Sequence, residues 1–140
     1  MATAAGLLSD FKSLTEQAIS AADEFSQIYY KLYDTQRHRL IQLYNDRSTV
    51  VWNGNAVNGT QAINEFFINL PATEHQIFSM DSQPINKIAT QGQTAILVTF
   101  DGQVKFENER DYQYFTQTLL LMSVNNTWKI INDCLRFIDS

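Results

Sequence analysis

One cysteine, two histidines and two prolines in 140 residues put several kinds of protein out of reach. Cys134 alone cannot form an internal disulfide, so the fold must hold by burial, which a single domain of this size can supply. With His38 and His75 it makes too small a set for a tetrahedral zinc site, and neither a metal nor a cofactor is expected. Pro71 and Pro84 with five glycines leave no Pro/Gly-rich linker or low-complexity tract, which points to one domain over 10–140 after a flexible 1–9 segment. No run approaches the roughly 18 apolar residues of a membrane span. The opening MATAAGLLSD has neither the basic start nor the apolar run of a signal peptide, so an intracellular protein is expected. Positive charge is also scarce: ten Lys and Arg face fifteen Asp and Glu, for a net charge of −5, and Arg37-His38-Arg39 is the densest basic group. Binding to nucleic acid through phosphate needs a basic stripe, so direct nucleic-acid binding is disfavoured.

What the chain has in quantity is periodic apolar sequence. After Ser9 or Asp10 as a cap, Phe11, Leu14, Ala18, Ala21/Ala22, Phe25, Ile28/Tyr29 and Leu32 recur at three- and four-residue steps, one face of a long helix. A shorter helix follows from Asp34 or Thr35 to about Asn45, with Leu40, Ile41, Leu43 and Tyr44 apolar. Thr49-Val50-Val51-Trp52 is β-prone, and Asn53-Gly54 suits a two-residue hairpin turn returning along Asn55-Ala56-Val57. Asn58, with Gln61 three residues on, reads as the cap of a third helix carrying Ile63, Phe66, Phe67 and Leu70 and stopped by Pro71. The period then changes to strands over 75–85, 94–106, 112–124 and 127–138, with turns at Gly92, 108–110 and Asn125-Asn126. The sequons at Asn58 and Asn125 fall at these turns and are read as turn chemistry. The class is α+β: three N-terminal helices on one side of a mainly antiparallel meander.

The strands are apolar on both faces. In the last, Leu135 and Phe137 share a side with Ile131, while Trp128, Ile130, Cys134 and Ile138 surround Asn132 and Arg136 on the other. In the one before, Phe115, Leu119 and Leu121 oppose Tyr112, Tyr114, Thr116, Thr118, Leu120 and Met122. Three helices cover one face of a sheet, so the second needs a strong curl, a loop or a partner; a partner is the reading adopted.

Together the segments VVWNGNAVNGTQAINEFFINLP, AADEFSQIYYKLYD and WKIINDCLRFID resemble the small NTF2-related export proteins, the p15 family of the nuclear-transport-factor-2-like superfamily, from Asp10 to Asp139. That resemblance implies a cone of three helices against a bent antiparallel sheet whose open face pairs with a similar fold. It also implies the small subunit of a heterodimeric messenger-RNA export receptor, whose large subunit contacts RNA adaptors and FG nucleoporins, in a complex shuttling between nucleus and cytoplasm. Arg136 matches the arginine of the family's terminal motif and by resemblance pairs with a carboxylate of the large subunit; read from the residue alone, it is an edge arginine in solvent. Around it Asn132, Cys134, Ile130, Thr118, Thr116 and Tyr114 complete the expected partner-binding surface. A homodimer would set two positive faces together unless an acid such as Asp101 intervened.

One departure concerns Asn53, where the nuclear transport factor itself carries a Glu used on the GTPase Ran in its GDP form. Glu107 and Glu109 stay near the matching acidic loop but suit a solvated hairpin tip, so a homodimeric Ran-GDP carrier is the weaker alternative. The superfamily also holds isomerases and dehydratases, which makes Tyr29, Tyr30, His75, Asp101 and Asp133 a constellation to test. Each also has a plain core or surface reading, and no catalytic residue is expected.

Overall fold

The structure, a computed structural model, describes residues 4–87 and 89–138, with backbone only for 4–12 and 14. Its first element is a helix of 32 residues, α1 (Ala4–Thr35), about 48 Å long at 1.5 Å per residue. It begins ahead of the Ser9–Asp10 cap, so residues 4–9 of the segment expected to be flexible are helical, and 1–3 lie outside the described residues. Ala18, Ala22, Phe25, Tyr29 and Tyr33 follow one another at steps of three or four and form its buried stripe. Of the Ile28/Tyr29 pair, Tyr29 is the one inside and Ile28 is exposed.

The second expected helix is a 3-10 helix, Arg37–Leu43, and Tyr44 already belongs to strand β1 (Tyr44–Trp52). Its tighter turn places Leu40 in the core and brings the chain into the sheet within seven residues. Asn53 and Gly54 both have positive φ, 46° and 92°, and turn the chain into β2 (Asn55–Asn58), antiparallel to β1. The helix that follows, α2 (Thr60–Ile68), does not take Asn58 as its cap. Gly59, at φ 84°, occupies that position without a side-chain bond, and the Asn58 side-chain Oδ1 instead accepts the Thr49 hydroxyl across the β1–β2 pair at 2.7 Å. The helix ends at Ile68, ahead of Pro71.

Four long strands complete the fold: β3 (Thr73–Ile85), β4 (Ala95–Phe106), β5 (Gln113–Val124) and β6 (Thr127–Phe137). They form one six-stranded sheet in the order β2-β1-β6-β5-β4-β3. The meander is antiparallel as expected, but β1 joins β6 in parallel, a long-range pairing with no local sequence mark. Between sheet and helices lies a core that includes Tyr29, Tyr33, Leu40, Val50, Ile63, Phe67, Val98, Phe100, Leu119 and Ile130.

Two register shifts decide what faces outward. Leu120 pairs with Asn132 but Leu121 with Ile130, which leaves Ile131 as an extra residue in β6. On β3, Ile77 pairs with Gly102 and Ser79 with Asp101, which leaves Phe78 unpaired. An inserted residue reverses the alternation beyond it. Trp128 and Ile130 therefore face the core with Leu135, not the outer side with Arg136 as strict alternation implied; Ile130 is 0% exposed, and its assignment to a partner-binding surface is corrected accordingly.

Candidate functional site

Polar side chains gather inside the cone and on the outer sheet face. Inside, Tyr29 of α1, Tyr44 of β1, Gln117 of β5 and Asp133 of β6 meet with all four side chains buried. The Tyr44 hydroxyl donates to Asp133 Oδ2 at 2.6 Å and the Tyr29 hydroxyl to the same oxygen at 3.3 Å. Gln117 Nε2 donates to Asp133 Oδ1 at 2.8 Å and to the Tyr29 oxygen at 2.9 Å, while its carbonyl accepts Tyr30 at 2.7 Å. Burial pushes the Asp133 carboxyl above its ordinary range, and the bonds from Tyr44, Gln117 and Tyr29 only partly offset that. Tyr29 and Tyr44 are raised well above theirs, first by burial and then by the Asp133 carboxylate beside them.

This cluster is closed. Tyr29, Tyr44, Gln117 and Asp133 line none of the four principal cavities. A space of about 460 Å³ lies at the mouth of the cone, between Ala18 of α1, Ile85 and Ile96 of the sheet, and Trp128. Among the described residues no buried side-chain nitrogen or oxygen lacks a partner. Of the constellation to test, Tyr29, Tyr30 and Asp133 meet in this cluster and His75 packs against Tyr30, but Asp101 does not join them. Asp101 is exposed on the far side of the sheet, where it accepts the Ser79 hydroxyl. The His75 side chain, 3% exposed, donates from Nδ1 to Asp34 Oδ1 at 2.6 Å and packs against Tyr30, Tyr33 and Phe115. A group acting in acid-base chemistry must reach its substrate, and Asp133 is 2% exposed.

The outer face is built from alternate residues of β4, β5 and β6. Arg136 pairs with Thr116 and Cys134 with Thr118, and Leu120 stands opposite Asn132. On the other side of β5 the same residues face Asp101, Thr99 and Leu97. Arg136, Cys134, Asn132 and Tyr114 are exposed, and Thr116 and Thr118 are half-buried. Six of the seven residues expected on this surface thus share it, and Ile130 does not. Among the described residues Arg136 makes no ion pair or side-chain hydrogen bond, and a planar guanidinium with open donors suits a carboxylate.

Sequence reasoning missed Phe78. Its side chain, 58% exposed, packs beside the half-exposed Tyr114 at 6.3 Å between ring centroids, and together they form an aromatic corner next to Asp101. Alternation from Gln76 turns Phe78 outward, and the register shift keeps Ser79 on the same side beside it. Asn53, in contrast, is committed to the edge of β6, where its N–H donates to the Leu135 carbonyl and its side-chain oxygen accepts the Phe137 N–H.

Comparison with known proteins agrees with this geometry. The nuclear transport factor 2 (NTF2) domain model matches residues 21–137. Human NTF2-related export protein 2 is 47% identical over 134 residues, covering 93% of this chain and 94% of its own. The nuclear transport factor 2 structure from Cryptosporidium parvum superposes with a TM-score of 0.70 at 25% identity, over 91% of this chain and 94% of that one. A chain from the Chaetomium Mex67:Mtr2 subunits has the same fold, with a TM-score of 0.70 at 16% identity, over 85% of this chain and 97% of that one.

Proposed function

Because this chain belongs to the nuclear transport factor 2 domain family, we propose that it serves as the small, non-catalytic subunit of a heterodimeric messenger-RNA export receptor, docking its outer sheet face on the large subunit. The observation that carries this reading is Arg136, exposed on that face beside Thr116, while the buried Tyr29, Tyr44, Gln117 and Asp133 are paired to one another. The human relative is named as an export protein, and a Mex67:Mtr2 chain shares the fold, which supports the reading. In the proposed complex the large subunit makes the RNA contacts, in keeping with this chain's net charge of −5, and FG nucleoporins are met through the pair as it shuttles between nucleus and cytoplasm.

Covering the sheet desolvates the guanidinium, and loss of one member of such a buried pair costs about 3–5 kcal/mol. Arg136→Asp in the full chain, co-expressed with the large subunit, is therefore expected to abolish co-purification at physiological salt. Undiminished recovery of the pair would show that the contact lies elsewhere. A Ran-GDP carrier draws less support, since Asn53 offers no carboxylate and its amide oxygen is engaged by Phe137. A small-pocket enzyme draws less still, because the Asp133 cluster is sealed.

A further inference from the structure

Arg136 has a counterpart of opposite sign on the same face. Register sets Ser79 of β3, Asp101 of β4, Thr116 of β5 and Arg136 of β6 in one row across the sheet. At a strand spacing of about 4.8 Å, Asp101 and Arg136 stand about 10 Å apart with Thr116 between them. That is the backbone separation; among the described residues no ion pair joins the two side chains, and both are exposed. The Ser79 hydroxyl, at 3.1 Å, holds one carboxylate oxygen of Asp101; the other accepts no hydrogen bond among the described residues. Of the adjacent rows, Asp81-Thr99-Thr118-Cys134 carries a charge only at its β3 end and Gln83-Leu97-Leu120-Asn132 carries none.

A cover that meets Arg136 with an acid also closes over Asp101. A carboxylate removed from water beside one hydroxyl is costly unless a cation meets it. We propose that Asp101 is a second specificity-determining residue of this face and takes a guanidinium or ammonium group from the partner. The partner sheet must then present an acid and a base about 10 Å apart in the reverse order, with Thr116 near the point about which the two charge pairs are reversed. The occupant is the large subunit's domain of like fold, so the inference rests on the docking proposed above. With the two-fold-like axis passing near Thr116 of β5, β6 of one sheet lies against β4 of the other. Arg136 then meets the partner's β4 position and Asp101 its β6 position. Phe78 and Tyr114 flank the acidic end with apolar surface that limits water at this second contact.

The test measures affinity of the full chain for the large subunit's matching domain by titration calorimetry, with wild type, Asp101→Asn, Asp101→Lys and Arg136→Asp compared, and with each chain sized alone by light scattering. Asp101 is exposed, so folding of the variants is checked by circular dichroism and expected unchanged. Asp101→Lys is expected to weaken binding by at least about tenfold, with Asp101→Asn between it and wild type. Full affinity of Asp101→Lys alongside failure of Arg136→Asp would overturn the role of Asp101 and leave the docking face intact. Full affinity of both variants would overturn the docking reading itself. The row is also complementary to itself, so a wild-type homodimer that Asp101→Lys dissociates, with affinity for the large subunit unchanged, would overturn the assignment by giving the cation to a second copy of the chain.

Discussion

The phenol of Tyr44, the first residue of β1, donates across 2.6 Å to the carboxylate of Asp133 on β6, and both side chains are buried. The bond joins the two strands of the sheet's one parallel pair, near the register shift between Tyr44 and Thr49. Tyr44→Phe removes this donor and leaves the Tyr29 and Gln117 bonds to Asp133 in place. Loss of one partner of a buried charged acceptor is expected to lower stability by about 1–3 kcal/mol, read from urea unfolding at neutral pH. An unchanged midpoint would mean that Asp133 does not depend on this hydroxyl.

Two buried or half-buried carboxylates give stability opposite dependences on pH. Burial raises the Asp133 carboxyl, so above about pH 4 the unfolded chain loses this proton before the native one does, and stability falls as pH rises through that interval. At Asp34, burial also acts upward, but the side-chain and backbone N–H groups of His75 and the Thr73 hydroxyl outweigh it and hold the carboxyl below its ordinary value. Its contribution is present above about pH 4 and disappears as pH falls through the lowered native value. Relative to wild type, Asp133→Asn is expected to gain stability as pH rises from about 4, and Asp34→Asn to lose least on the acid side. Urea midpoints from pH 3 to 8 check both, and parallel profiles for all three proteins would contradict both assignments.

Gly102 sits where β3 and β4 cross at the Phe78 register shift. A Cβ there would overlap the carbonyl oxygen of Gln76 and come within 3.2 Å of Ile77 Cα, both backbone atoms that cannot rotate away. Gly102→Ala is expected to cost about 1–3 kcal/mol by forcing the strands apart. Because the shift also sets Phe78 and Asp101, the same variant is expected to bind the large subunit less well even where it remains folded. Wild-type stability would show that the strand pair yields freely.

Arg37 ties three separate segments together. Its guanidinium donates to the carbonyls of Phe67 in the last turn of α2 and of Leu70 and Pro71 beyond it and to the Thr73 hydroxyl, its Nε donates to Tyr33 O, and it lies 5.0 Å from the Tyr33 ring centre. Charged hydrogen bonds of this kind contribute roughly 1.5–3 kcal/mol each at most, and they overlap here. Arg37→Ala is expected to lower stability by about 3 kcal/mol, with Arg37→Lys close behind because an ammonium cannot span the same acceptors. A small loss in thermal unfolding would contradict this.

Helix and strand periods, the Asn53-Gly54 turn and the stop before Pro71 were legible because each depends on neighbours within a few residues. The features that sequence reasoning missed depend on partners far along the chain. Asn58 was expected to cap α2, yet Thr49 across the hairpin takes its side chain. Alternation placed Ile130 outside until one inserted residue, Ile131, turned it inward. The parallel joining of β1 to β6 brings Tyr44 to Asp133 over a separation of 89 residues, and neither strand marks it. Arg136, Cys134 and Thr118 were placed together correctly because they lie on the regular side of the bulge.

The most direct test of a sheet face completed by a second fold around Arg136 is the mass of the purified full chain, with and without the large subunit's matching domain, by light scattering after size exclusion. A one-to-one complex is expected for wild type and two separate species for Arg136→Asp. A wild-type chain that stays a monomer at high concentration and elutes apart from that domain would contradict it.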